Sequence, residues 1–296
     1  MSITPDANDP RVRRVLRQFV ETDALLGVDA VPVSARRVAP AAASAEPAAA
    51  SRSISTSASA AAERGTKPAA PVSDAAAMTD RSSTFWDEIP ATPEEPANRE
   101  AKLKLLTAMD ENEVRGCTRC ALCESRTQTV FGEGDVDAQI MFIGEGPGQT
   151  EDETGRPFVG RAGQLLDKMI VAMGFSRESV YIANVVKCRP PGNRTPQIEE
   201  VSACRSYLLR QVAWIRPKAI VTLGGPATKL ILDTQEGITR IRGRWDEFRE
   251  VDPPIPVMPT FHPAYLLRNY TKETRGKVWS DLLAVLERLG VEPPKQ

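Results

Sequence analysis

Residues 139–148 read QIMFIGEGPG, and this stretch decides the fold. Four large apolar residues, Ile140 to Ile143, run straight into a Gly-rich turn, the mark of a strand buried on both faces. The same signal returns downstream with helices in between. Residues 160–174, GRAGQLLDKMIVAMG, space their apolar residues as a helix ending at Gly174, and VYIANVVK (180–187) is a second strand. Thr195 and Pro196 read as the N-cap and first turn of a helix whose apolar stripe is Val201, Cys204, Leu208, Val212 and Ile215. AIVTLGG (219–225) is a third strand, PATKLIL (226–232) a short helix, IPVMPTF (255–261) a fourth strand, and Lys277 to Leu289 a closing amphipathic helix. Strands alternating with helices predict an α/β three-layer sandwich: a central, mainly parallel four-stranded sheet with helices on both faces. Such sheets bind ligands beyond the carboxyl ends of their strands. There lie GEGPG after the first strand, Asn184 near the end of the second, GGPA after the third and His262 after the fourth.

Upstream, the chain changes character. Residues 40–77 are mostly Ala, Ser and Pro, which leaves almost nothing to bury and predicts a flexible linker. Before it, Val12, Val15, Leu16, Phe19 and Val20 give 9–26 the spacing of a short amphipathic helix, either folded back on the main domain or a docking peptide for a replication or repair protein. Residues 1–95 are thus expected to be a mostly disordered tail, and 98–292 the catalytic domain, opening with the helix AKLKLLTAM. The net charge of −1 argues against a broadly basic nucleic-acid binder, so any DNA contact must be local. No apolar run approaches the roughly 20 residues of a membrane helix, and the N-terminus lacks a signal-peptide core. A cytoplasmic protein without a membrane partner is expected, and a monomer.

Five cysteines are an odd number for disulfides in a reducing compartment. Cys117 and Cys120 form a C-x-x-C pair, Cys188 follows the second strand and Cys204 sits on the next helix, while Cys123 is a spare thiol nearby. Four thiolates suit zinc or a [4Fe-4S] cluster, and spacing alone does not separate the two. The segment GEGPGQTEDETGRPFVGRAG lacks the Gly-Lys-Ser/Thr ending of a phosphate loop and carries Glu145, Glu151, Asp152 and Glu153, which would repel phosphate. Its amides suit a neutral polar ligand, and Phe158 offers an aromatic face of the kind a flipped base stacks on. His262, the only histidine, opens HPAYLLR at the sheet's carboxyl edge.

Together, GEGPGQTEDETGRPFVGRAGQLL, NVVKCRPPGNRTP and HPAYLLR resemble the motifs of the family 4 uracil-DNA glycosylases, the iron–sulfur branch of that superfamily. The resemblance runs from about Cys117 to the C-terminal helix. It implies an enzyme that flips uracil out of DNA and hydrolyses its N-glycosidic bond, leaving an abasic site for base excision repair. It makes Cys117, Cys120, Cys188 and Cys204 the ligands of a structural [4Fe-4S] cluster. It stacks uracil on Phe158, pairs it with the Asn184 amide, lines the pocket with Gly146 and Glu151, and makes His262 the donor to uracil O2. From HPAYLLR, Tyr265, Leu266 and Leu267 are candidate wedges, or else buried loop anchors, and Arg268 a phosphate contact. Gly146 stands where other branches carry a residue that orients water, so Glu145, then Asn193, are the candidates for that task. A covalent uracil-DNA-binding relative would need a histidine in a loop after the second strand, which this chain lacks. A redox iron–sulfur protein would have no use for Phe158, Asn184 and His262 together, and a zinc-ribbon module would be separated by colour, because zinc thiolates do not absorb near 400 nm and iron clusters do.

Overall fold

The structure, a computed structural model, describes residues 96–294. The helix expected over 9–26 and the linker over 40–77 lie outside the described residues. Six strands form one sheet: β1 (Glu133–Gly134), β2 (Ile140–Gly144), β3 (Tyr181–Asn184), β4 (Ala219–Leu223), β5 (Asp246–Phe248) and β6 (Ile255–Thr260), in the order β1-β3-β2-β4-β6-β5. The four expected strands are its parallel centre. The expectation of four strands is corrected to six, because β1 and β5 pair antiparallel at the two edges. At two and three residues they are too short to show a period in sequence, and short edges limit pairing with other chains.

Alternation along the central strands builds the three layers. Ile140 and Phe142 face one side, packing with Leu166 and Ile170 of α3 (Arg161–Ala172) and with Leu282, Val285 and Leu286 of α8 (Lys272–Leu289). Met141 and Ile143 face the other, packing with Leu106 and Met109 of α1 (Arg99–Met109) and with Leu208, Val212 and Ile215 of α4 (Ile198–Ile215). Among the described residues no helix is long and apolar enough to cross a membrane.

Helix starts differ from expectation for identifiable reasons. The cap of α4 is Gln197, not Thr195, because Glu200 reaches back to accept from the Gln197 amide at 2.7 Å. Helix α8 begins five residues earlier than its apolar stripe, where Thr271 caps the Thr274 amide at 3.1 Å. Two motif segments expected as loops contain short helices, α2 (Gln149–Thr154) and α7 (Pro263–Arg268); α5 (Gly225–Leu232) follows β4 as expected, and α6 (Ile238–Ile241) lies beyond it.

The chain runs from β2 to β3 on one side, then returns past β2 to β4. That reversal is the topological switch point, and it opens a crevice at the carboxyl ends of β2 and β4. The packing of Phe142, fully buried between helices, holds this arrangement. Phe142→Ala should cost about 3–5 kcal/mol of unfolding free energy, and Val171→Ala, at a position 63% exposed, less than about 0.5 kcal/mol. Urea denaturation of the two variants checks both values.

Candidate active site

The carboxyl edge of the sheet borders a cavity of about 670 Å³, within the usual range for ligand pockets. Gly144 and Asn184 are register partners at the ends of β2 and β3. A Cβ on Gly144 would lie 2.4 Å from Phe158 Cζ and 2.5 Å from Asn184 Oδ1, so only glycine lets ring and amide close on each other. Gly224, at φ +89°, turns the chain after β4 and brings its Cα side against His262, where a Cβ would meet the His262 Cβ at 3.1 Å.

His262 caps α7, with its Nδ1 accepting from the Ala264 amide at 3.1 Å. An accepting Nδ1 carries no proton, so the neutral ring has its proton on Nε2. Burial, then the nearby Arg268 charge, press the imidazole pKa down to about 4 against an opposing pull from Glu151. The ring is therefore neutral at pH 7. Its partner across the cavity is Phe158, 5.6 Å away between ring centroids.

Asn184 is 2% exposed, and its Oδ1 has no hydrogen-bond partner among the described residues. A buried, unsatisfied carbonyl oxygen costs free energy unless a ligand supplies the donor. Glu151 is buried and committed: its Oε1 accepts from the amides of Val159 at 2.9 Å and Gly160 at 2.7 Å. It lines the site through the loop it holds. Gly146 borders the cavity with no room for a side chain, since a Cβ would meet Val186 Cγ2 at 2.8 Å.

Glu145 also lines the cavity, and burial pushes its carboxyl above the ordinary range despite Thr195. Asn193 stands on the rim at φ +55°, its Oδ1 accepting from Arg189 Nε at 2.8 Å. On α7, Tyr265 and Leu267 are 36% and 37% exposed, whereas Leu266 is 3% exposed and part of the core. Leu266 is thus an anchor, and the wedge candidates narrow to Tyr265 and Leu267. Arg268 is exposed beside the cavity. Sequence reasoning missed Gly144, whose signal was a glycine closing an otherwise apolar strand.

Cys117, Cys120, Cys188 and Cys204 line a second, smaller cavity together with Arg126 and Lys187. Two N–H groups aim at sulfur: Arg126 Nη1 donates to Cys188 Sγ and the Lys187 amide to Cys204 Sγ, both at 3.2 Å. Burial pushes the Cys204 thiol up to about 12 and raises Cys188 too, so thiolates there need positive charge beside them. Among the described residues no three ligand side chains converge on a single metal ion. Donors directed at sulfur and four thiols around one space fit a group bound through thiolates. Cys123 is half-buried and not among the residues lining this cavity.

The sequence profile of the Uracil DNA glycosylase superfamily matches residues 131–283, which hold all of the carboxyl-edge site. The chain belongs to this superfamily. Within it, the chain is 50% identical over 173 residues to the Type-4 uracil-DNA glycosylase of Thermotoga maritima, covering 57% of this chain and 87% of that protein. It is 48% identical over 164 residues to the Type-4 uracil-DNA glycosylase of Sulfurisphaera tokodaii, covering 54% and 74%. A Type-5 uracil-DNA glycosylase of Pyrobaculum aerophilum is more distant, 37% identical over 114 residues and covering 33% and 50%.

The depressed His262 pKa has a sign that can be tested. Below pH 6.5 the unfolded chain takes up a proton that the folded ring refuses, so folding stability falls as the pH drops toward about 4. One edge of the ring faces the cavity, which trims the effect to about 2 kcal/mol. His262→Gln should show a loss of stability between pH 7 and pH 4.5 smaller than wild type by about that amount. Chemical denaturation at the two pH values measures it.

Proposed function

We propose that this superfamily member is a monofunctional uracil-DNA glycosylase that takes a flipped uracil into the carboxyl-edge cavity and hydrolyses its N-glycosidic bond. The observation that carries the reading is the unpartnered Oδ1 of Asn184 lining the same cavity as a histidine whose N–H is on Nε2. Uracil supplies the N3–H that Asn184 Oδ1 lacks, and its O4 accepts from Nδ2. Cytosine offers no N3–H and presents a donor at position 4, so it leaves both groups unsatisfied. Phe158 stacks on the base and fills the space that Gly144 leaves open.

Bond cleavage sends the C1′–N1 electron pair onto the uracil ring, where charge collects at O2. His262 donates its Nε2–H to that oxygen, stabilising the anion without giving up a proton. Water then adds to C1′ and its proton passes to the Glu145 carboxylate, whose raised pKa makes it the stronger base. Exposed Arg161 and Arg268 beside the cavity meet backbone phosphates, so a chain of net charge −1 still presents local positive charge to DNA. Tyr265 and Leu267 project from α7 to fill the gap in the stack. Both side chains are exposed, and Tyr265 also lines the cavity.

Cys117, Cys120, Cys188 and Cys204 would hold a [4Fe-4S] cluster, whose contribution is structural: it ties the 117–120 segment to the exit of β3 and to α4. Purified protein should be brown and contain iron, and Cys204→Ser should bleach it and lower its Tm; colourless protein with stoichiometric zinc contradicts the cluster.

The function is tested with an oligonucleotide carrying one uracil, treated with alkali after incubation to reveal abasic sites. Wild type should cut at the uracil, and His262→Ala should be slower by about 10²–10³-fold, the usual cost of one donor to a developing anion. An intact, brown wild-type protein that leaves the strand whole contradicts the proposal.

A further inference from the structure

Phe158 has φ +50°, a left-handed conformation that a bulky side chain avoids and that persists only where its surroundings over-determine it. The restraints on this loop come from a small set of groups. Arg177, just before β3, donates from Nη1 to the Phe158 carbonyl at 3.1 Å and from Nη2 to the Pro157 carbonyl. Two further donors are held by carboxylates: Nε by Glu133 Oε1 at 2.6 Å and Nη1 also by Asp167 Oδ1 at 2.6 Å. Glu133 in turn takes Arg156, two residues before Phe158, through both oxygens at 2.9 and 3.0 Å. On the far side of Phe158, Glu151 holds the next two amides. The Phe158 carbonyl also lies against Gly163 of α3, where a Cβ would come within 1.8 Å.

We infer that Arg177 is a positioning residue for the reaction: it fixes the left-handed backbone of Phe158 and thereby holds the stacking ring against Asn184 and His262. A planar guanidinium suits the task because two adjacent carbonyls and two carboxylates must be met at once in fixed directions, which an ammonium cannot do. The side chain is 14% exposed and contacts the loop's backbone rather than the cavity. Arg177 therefore acts through Phe158 and is not a catalytic residue. Seven residues on, the same segment delivers Asn184, so one brace sets the spacing between the stacking face and the base-pairing amide.

The inference rests on the glycosylase reading, and a double-mutant cycle tests it separately. Arg177→Ala in the full chain should lower kcat/KM on single-uracil DNA by about 10- to 100-fold, the scale of a small misplacement of the reacting base. It should also weaken product inhibition by free uracil, and Arg177→Lys should restore little of either. In a Phe158→Ala background the same Arg177→Ala change should cost no more than about 2-fold, because the group it positions is gone. If the two losses multiply in the double variant, or if uracil inhibition is unchanged in Arg177→Ala, the inference is overturned. Should Arg177→Ala fail to fold, Glu133→Gln, which keeps shape and weakens the brace, takes its place in the cycle: a loss that vanishes in the Phe158→Ala background supports the inference, and losses that multiply overturn it. An inactive wild type contradicts the glycosylase reading instead, so the two failures are distinguishable.

Discussion

The Ala264 amide donates to His262 Nδ1, and because that nitrogen can then hold no proton, the proton must sit on Nε2. The chemistry proposed for the cavity depends on this one backbone bond. A ring free to choose its tautomer would spend part of its time offering a lone pair to uracil O2. A charged ring would donate well but would have to be kept ionised in a buried place. Burial and Arg268 prevent that, and a neutral donor needs no compensating charge. The bond exists because His262 occupies the N-cap of α7, with Pro263 starting the helix, and because β6 ends two residues earlier at Thr260.

Around that donor the structure is held by groups that fix strand ends and loops. Thr260 donates to the buried Asp281 of α8 at 2.6 Å, and Arg242 joins the same carboxylate. Those bonds fix the end of the strand that presents His262. Glu151, Glu133 and Arg177 do the corresponding work for the Phe158 loop. Two of the acidic residues that made GEGPGQTEDETG unsuitable for phosphate prove to be internal braces: Glu151 holds two loop amides, and Asp152 accepts from the Thr127 amide. Negative charge at these two positions fixes geometry, and the exposed Arg161 and Arg268 stand beside the cavity.

The central strands were legible because each is a mostly apolar run, which is what burial on both faces demands. The edge strands were not, since two or three residues carry no period. Helix α7 was hidden because histidine is not a usual N-cap signal, and α8 looked short because its first turn, KETRG, is polar. In the site, His262, Asn184 and Phe158 could be singled out as unusual residue types at strand ends or in a Gly-rich loop. Their consequences could not. The tautomer of His262 depends on a local amide, the open valence of Asn184 on what is missing around it, and Leu266 differs from its neighbours Tyr265 and Leu267 only by the phase of a helix. Arg177 is invisible in sequence, because its partners come from segments up to 44 residues away.

The most direct measurement uses the fact that His262 is the only histidine in the chain. Protein labelled with ¹⁵N-histidine gives a single pair of imidazole nitrogen signals, whose shifts report the charge and tautomer of that ring alone. A neutral ring protonated on Nε2 and bare on Nδ1, unchanged from pH 8 down to pH 5.5, is the predicted result. A ring that carries its proton on Nδ1, or that becomes imidazolium near pH 6.5, would contradict the account.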